Sequence, residues 1–154
     1  MGFDIHRLVA DRPLVLGGVN IPHSKGLQGH SDADAVLHAL CDALLGAVGE
    51  GDIGTYFPDT DPRWKNAESR VFVEKASELV ASRGMSVSNV DIVVLAEAPK
   101  IGPHREAIRK SVAKMLRVDP ERVNVKAKTM EGLGPIGAQE AIGAYAVALL
   151  ELEG

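Results

Sequence analysis

Asp4 and His6 stand two residues apart in GFDIHRLV, a stretch from Gly2 to Val9 whose alternation fits a short strand. On a strand, residues at that spacing leave the same face, so the two side chains can converge on one cation. A third ligand is available if the fold brings His38 near them. One carboxylate and two imidazoles leave a position open on a tetrahedral ion, the arrangement of a catalytic zinc site. Zinc accepts this mixed oxygen and nitrogen set, whereas softer metals ask for thiolate. Asp-x-His is common by chance, so this reading depends on where His38 goes.

His38 lies in HSDADAVLHALCDALLG, from His30 to Gly46. Leu37, Leu40, Cys41, Leu44 and Val48 recur at three-and-four spacing, which predicts an α-helix with that side in the core. Asp34, His38 and Asp42 fall at i, i+4 and i+8 and form a polar column on another stripe. Asp42, one turn beyond His38, is the expected orienting partner of that imidazole. The competing reading of the column is a solvated ion-pair ladder. Ser31 is the expected N-cap, answered by Asp34 in a variant of the capping box, so the helix is expected to begin near Asp32. The free N–H groups of that first turn suit a phosphate, and His30 stands just outside it.

The 154 residues, 45% of them hydrophobic, suffice for one domain with a proper core, spanning 1–154. A formal net charge of -4 argues against broad nucleic-acid binding. A phosphate ligand must therefore be held by local donors and metal ions. No apolar run approaches a membrane span and no basic, apolar leader precedes the first motif. The expectation is a soluble intracellular protein with no membrane partner, cytoplasmic in a bacterium, or plastid if a leader has been removed. The single cysteine, Cys41, sits on the apolar helix face and reads as a core residue rather than a nucleophile.

The remaining elements follow from local pattern. Pro13–Gly18 and Val19–Pro22 read as a hairpin turning at the Gly pair, and Gly26–Gly29 as a linker into the helix. His23 has no spacing partner and reads as surface. Gly49–Trp64, dense in Gly, Pro and Asp, is a long loop of the kind that is often functional. There Asp52, Asp59 and Asp61 could bind hydroxyls or metal, and Phe57 and Pro58 could close over a ligand; the alternative is a solvated loop whose acids cap turns. Ser69–Arg83 is a packing helix stopped by Gly84. Val87–Ala96 is an interior strand ended by Pro99, which leaves Lys100 at the strand's end, where ligands often bind. Pro103–Val118 is an amphipathic helix with a solvated basic face. Arg122–Thr129 is a strand, Glu131–Gly137 a Gly-rich turn, and Ala141–Leu152 reads as strand rather than helix because of Gly143 and its Ile, Tyr and Val content.

Together GFDIHRL, LGGVNIP, GHSDADAVLHALCDALLGA, GDIGTYFPDTDPRWKNAESR, NVDIVVLAEAPKIGPH and VNVKAKTMEGLG resemble the 2-C-methyl-D-erythritol 2,4-cyclodiphosphate synthase family of the non-mevalonate isoprenoid pathway, over nearly the whole chain and in order. The combination of D-x-H, HSD-x-D-x-x-LHA and GDIG-x-x-FPDTDP is specific. The resemblance implies an α+β fold: a mixed four- to five-stranded sheet with helices on one face, assembled as a homotrimer with active sites between subunits. It implies a lyase that converts 4-diphosphocytidyl-2-C-methyl-D-erythritol 2-phosphate to the cyclic diphosphate and CMP, the 2-phosphate attacking the β-phosphorus of the CDP group.

On the family pattern Asp4, His6 and His38 match the zinc ligands. Glu131 matches a residue that helps hold a second divalent ion, typically magnesium. His30 and Ser31 match positions near the attacking phosphate, and His30 and Thr129 those credited with stabilising the transition state. Asp52, Ile53 and Gly54, then Phe57, Pro58, Asp59, Thr60 and Asp61, match contacts to the methylerythritol part. Ala96, Glu97, Ala98, Pro99, Lys100, Ile101 and Gly102 match the cytidine and diphosphate region, as do Lys128, Thr129, Met130 and Glu131. This chain departs at Pro135 and Ala138, where the family often has Phe and Arg; that Arg in many members holds a phosphate or diphosphate at the trimer centre, so the accessory ligand is not expected here. Lys128 replaces a residue that is commonly small and polar, so nucleotide contacts there are expected to differ. The chain starts close to Asp4, so little of the usual first strand is expected. Two rival readings are a metal-dependent phosphohydrolase that activates water at the same site and a non-catalytic binding trimer.

Overall fold

A computed structural model describes residues 1–154. Its frame is a five-stranded mixed sheet in the order β4-β1-β7-β5-β6. The strands are β1 (Gly2–Ala10), β4 (Lys25–Leu27), β5 (Met85–Leu95), β6 (Val123–Lys128) and β7 (Ala141–Leu152). β5 and β6 run parallel, and the other neighbours antiparallel. β2 (Leu14–Leu16) and β3 (Val19–Ile21) form a separate hairpin. The helices are α1 (Ala35–Ala47), α2 (Ile53–Tyr56), α3 (Arg70–Ser82), α4 (Arg105–Leu116) and α5 (Gly134–Gly137).

Alternation along the strands sorts the two sheet faces. Ile142, Ala144 and Ala146 of β7 and Val90, Ile92 and Val94 of β5 are buried in one core with Leu37, Leu40, Cys41 and Leu44 of α1. The small residues of β7 let α1 lie close to the sheet. Gly2 carries this furthest: a Cβ there would stand 1.9 Å from the Ala39 carbonyl oxygen, so only glycine admits the helix at that distance. On the opposite face Phe3, Ile5, Tyr145, Val147 and Leu149 are exposed, with the Phe3 and Tyr145 rings 4.7 Å apart. No helix is long and apolar enough to cross a membrane.

Most expected elements form, including Ala141–Leu152 as a strand and the hairpin turning at Gly17 and Gly18, both with positive φ. β1 is a full nine-residue strand despite starting at Gly2. Four local expectations are corrected. The segment read as a linker at Gly26–Gly29 contributes to β4, which pairs with β1. The long loop contains the one-turn α2 and a 3-10 turn at Pro62–Trp64, and the Gly-rich turn contains α5. The central helix begins at Ala35 with Asp34, not Ser31, as its N-cap. The reason is local: Ala33 turns left-handed, with φ of 57°, and the Ser31 hydroxyl is engaged with the Ala33 N–H, so the first free turn falls three residues later.

Candidate active site

β1 projects Asp4 and His6 from its helix-facing side, and α1, lying across that side, lowers His38 onto them. Asp4 Oδ2 lies 2.7 Å from His6 Nε2 and 3.2 Å from His38 Nδ1. His6 Nε2 and His38 Nδ1 are 3.2 Å apart. These three form the only group of three or more His, Cys, Asp or Glu side chains placed to hold one metal ion.

Proton accounting shows what this cluster needs. His6 Nδ1 lies 2.8 Å from the Gln28 carbonyl, which can only accept, so Nδ1 carries a proton and, in the neutral ring, Nε2 presents a lone pair to Asp4. Asp4 Oδ2 is buried without a hydrogen-bond partner. Burial works to raise the Asp4 pKa, yet the His38 and His6 imidazoles beside it hold it below the ordinary range. Burial works to lower the His6 pKa, yet Asp4 and the Gln28 carbonyl lift it above the usual value. Lone pairs this close, around a buried carboxylate, call for one positive charge in their midst. The donor set, one carboxylate oxygen and two imidazole nitrogens, suits a zinc-like cation with an open position.

The polar column of α1 divides into separate jobs. Asp34 is fully buried and caps the helix through the Leu37 N–H, while also accepting the Gly17 and Gly18 N–H groups of the β2–β3 turn. It is not part of a solvated ladder. Asp42 does not bond His38; its Oδ1 accepts the Ile53 N–H at 2.7 Å and so ties α2 to α1. The partners of His38 Nε2 are instead Ser69 Oγ at 2.8 Å and Ser31 Oγ at 3.1 Å. Cys41 is buried with its thiol against the Phe72 carbonyl, and burial pushes its pKa up to about 12, which leaves it inert as a nucleophile.

A cleft of about 490 Å³ opens over the triad, and His30, Ser31, Ile53, Gly54, Phe57, Pro58 and Asp59 line it as well. His30 Nε2 donates to the Asp61 carbonyl. Asp61 itself is paired with Arg63, Asp52 caps α2 through Thr55, and Thr60 is exposed. Gly29, Trp64 and Phe72 also line the cleft. Phe72 packs 4.5 Å from Phe57 and 5.8 Å from the His38 ring. Sequence reasoning did not single out these three, nor Ser69 and Asp32 beside His38.

The remaining predicted residues gather elsewhere, at the C-terminal ends of the parallel pair β5 and β6. The Ala96 N–H bonds the Lys128 carbonyl, Glu97 accepts the Met130 N–H, and Thr129 Oγ1 accepts the Glu131 N–H. Ala98–Pro99 is a cis peptide that leads to Lys100, Ile101 and Gly102. None of these residues lines the cleft over the triad, and Glu131 is exposed.

Residues 1–151 match the model of the YgbB family. The chain is 54% identical over 153 residues to the 2-C-methyl-D-erythritol 2,4-cyclodiphosphate synthase of Synechocystis sp., covering 99% of this chain and 95% of that one. A solved structure of a 2C-methyl-D-erythritol-2,4-cyclodiphosphate synthase in a CDP-bound form superposes with a TM-score of 0.90 at 46% identity, over 97% of each chain. The bifunctional IspDF from Campylobacter jejuni superposes with a TM-score of 0.94 at 42% identity; 98% of this chain is matched, but it spans only 41% of that longer one.

Proposed function

Since the chain belongs to the YgbB family of 2-C-methyl-D-erythritol 2,4-cyclodiphosphate synthases, its product is that cyclic diphosphate of isoprenoid biosynthesis, and we propose that it acts by metal-assisted intramolecular phosphoryl transfer. The 2-phosphate of 4-diphosphocytidyl-2-C-methyl-D-erythritol 2-phosphate attacks the β-phosphorus of the CDP group. One phosphorus–oxygen bond forms, one breaks, and CMP leaves, which makes the enzyme a phosphorus–oxygen lyase. The single observation that carries this reading is the Asp4, His6 and His38 cluster, with its orphaned buried oxygen.

The nucleophile is already an anion, so no Ser or Cys need be activated; the protein's task is positioning and relief of charge repulsion. Asp4, His6 and His38 would hold zinc, and Glu131 would help hold magnesium, which prefers hard oxygen ligands. A bound zinc supplies a Lewis acid for a phosphoryl oxygen. His30 and Ser31, at the mouth of the same cleft, would receive the 2-phosphate, and Thr129 would meet the transferred group. Ile53, Gly54, Phe57, Pro58 and Asp59 would enclose the methylerythritol part, with Asp52, Thr60 and Asp61 completing that loop. Residues 96–102 and 128–131 would take the cytidine and diphosphate.

We infer a homotrimer with sites between subunits. Two features support it: the apolar sheet face of Phe3, Ile5, Tyr145, Val147 and Leu149 is exposed on the single chain, and the nucleotide-side residues lie outside the triad's cleft, so another copy would bring them to it.

Incubation with the CDP-linked substrate, followed by phosphorus NMR, tests the reaction. CMP with a cyclic diphosphate is expected; inorganic phosphate would establish the phosphohydrolase instead. His38→Ala should remove both bound zinc and turnover while the assembly stays folded, and retained turnover would overturn the metal assignment.

A further inference from the structure

Ser69 occupies the N-cap position of α3, is fully buried, and makes no capping bond. Serine at that position normally gives its oxygen to the helix. Here the hydroxyl is turned the other way, between His38 Nε2, 2.8 Å away, and Asp32 Oδ1, with which it makes a short hydrogen bond. The Ser69 N–H bonds the other oxygen of the same carboxylate at 3.0 Å, and the Asp34 N–H bonds Oδ1 at 3.1 Å. The segments carrying these groups are cross-braced: the Asp32 N–H donates to the Ala67 carbonyl, and the Asn66 N–H to the His30 carbonyl.

The protons in this chain can run only one way. An ionised carboxylate accepts and cannot donate, so the Ser69 hydroxyl proton goes to Asp32. Ser69 Oγ is then left with lone pairs for His38, and His38 Nε2 must carry the hydrogen. In a neutral imidazole the lone pair then falls on Nδ1, the atom that faces Asp4 Oδ2 and His6 Nε2. We propose that Ser69 and Asp32 are a positioning pair that locks His38 in the Nε2–H tautomer, so that Nδ1 is aimed at the cation position before any ion arrives. This rests on the reading of Asp4, His6 and His38 as a cation site. The pair has a second effect: with Ser69 as the nearer acceptor of Nε2–H, and the Ala33 N–H already on Ser31 Oγ, the Ser31 hydroxyl proton is free to be donated to an anionic group in the cleft.

Removing a partner of this kind weakens metal binding by about 10–100-fold in well-studied sites. Zinc alone, titrated into the metal-free protein against a chromophoric chelator, should therefore bind Ser69→Ala about 10–100-fold more weakly than wild type. Nitrogen-15 NMR of the metal-free wild type should show His38 protonated on Nε2 and bare on Nδ1, with Ser69→Ala giving a mixture of tautomers. Equal zinc affinity in the two proteins, or a wild-type His38 protonated on Nδ1, overturns the positioning role. Failure of the wild type itself to bind zinc would instead overturn the cation site. The tautomer measurement requires no variant, so it decides the question even if Ser69→Ala does not fold.

Discussion

Replacing Asp34 probes how the fold aims His38. The carboxylate is fully buried and accepts three backbone N–H groups: Gly17 at 2.9 Å, Gly18 at 2.7 Å and Leu37 at 3.0 Å. Asp34→Ala strips all three. The Gly17 and Leu37 donors are buried, and a buried group left unpaired costs about 1–3 kcal/mol, so a loss of about 2–6 kcal/mol is expected at pH 7. That is a large part of a typical domain's stability. The loss should also depend on pH. Burial pushes the Asp34 carboxyl from 3.8 up to about 6, against the lowering effect of the Gly18 and Leu37 N–H groups. Its folded pKa thus lies above its unfolded one, so the folded chain takes up a proton first as pH falls. The stability contributed by Asp34 is complete below 3.8 and declines as pH rises to about 6, by about 3 kcal/mol. The gap between wild type and Asp34→Ala should therefore widen on going from pH 7 to pH 4. Urea unfolding followed by Trp64 fluorescence, at one fixed protein concentration because assembly contributes to stability, measures both quantities. A gap under about 1 kcal/mol at pH 7, or one that narrows on acidification, would refute the reasoning.

Gly2→Ala should destabilise the chain by about 1–3 kcal/mol or more, because the new methyl meets backbone atoms of α1 at Ala39 and Ala43. It should also weaken zinc binding by moving His38 away from Asp4; unchanged affinity and unfolding midpoint would show that the close approach is not needed. Asp42→Ala should raise KM severalfold at unchanged zinc stoichiometry, since Asp42 holds the Ile53 N–H at the cleft wall. Loss of zinc in that variant would instead restore Asp42 as a partner of His38. Cys41, buried with its thiol pKa pushed up to about 12, should resist alkylation at pH 8 in the native protein and react on unfolding, as followed by mass spectrometry.

Each half of the triad was legible in a local period, while their meeting was implied only by the family resemblance. Asp4 and His6 share a strand face at spacing two, and His38 sits at a fixed offset on a helix whose apolar side is unmistakable. The longer sheet strands were legible from composition, Met85–Leu95 from its β-branched run and Ala141–Leu152 from Gly143 and its Ile, Tyr and Val content. The helix start was not. Ser31 and Asp34 both suit an N-cap, and the choice between them was made by the left-handed turn at Ala33, which draws the Ala33 N–H onto the Ser31 hydroxyl and which no residue type there announces. β4 escaped notice because a three-residue edge strand containing a glycine carries almost no period. Asp42 misled for a related reason: helical spacing puts it near His38, but the N–H of Ile53 lies closer to its carboxylate than any imidazole nitrogen does.

Each imidazole of the triad is gripped at the nitrogen that faces away from Asp4, His6 by the Gln28 carbonyl and His38 by Ser69. Those two grips come from the end of β4 and the start of α3, neither of which contributes a ligand. A ring held at one nitrogen by a fixed partner keeps its other nitrogen aimed at the centre. α1, which carries His38, is itself pinned at its start by Asp34 and seated against Gly2. Metal binding should then cost little reorganisation, because the same four segments already gather the three side chains at the wall of the cleft that His30 and Ser31 also line.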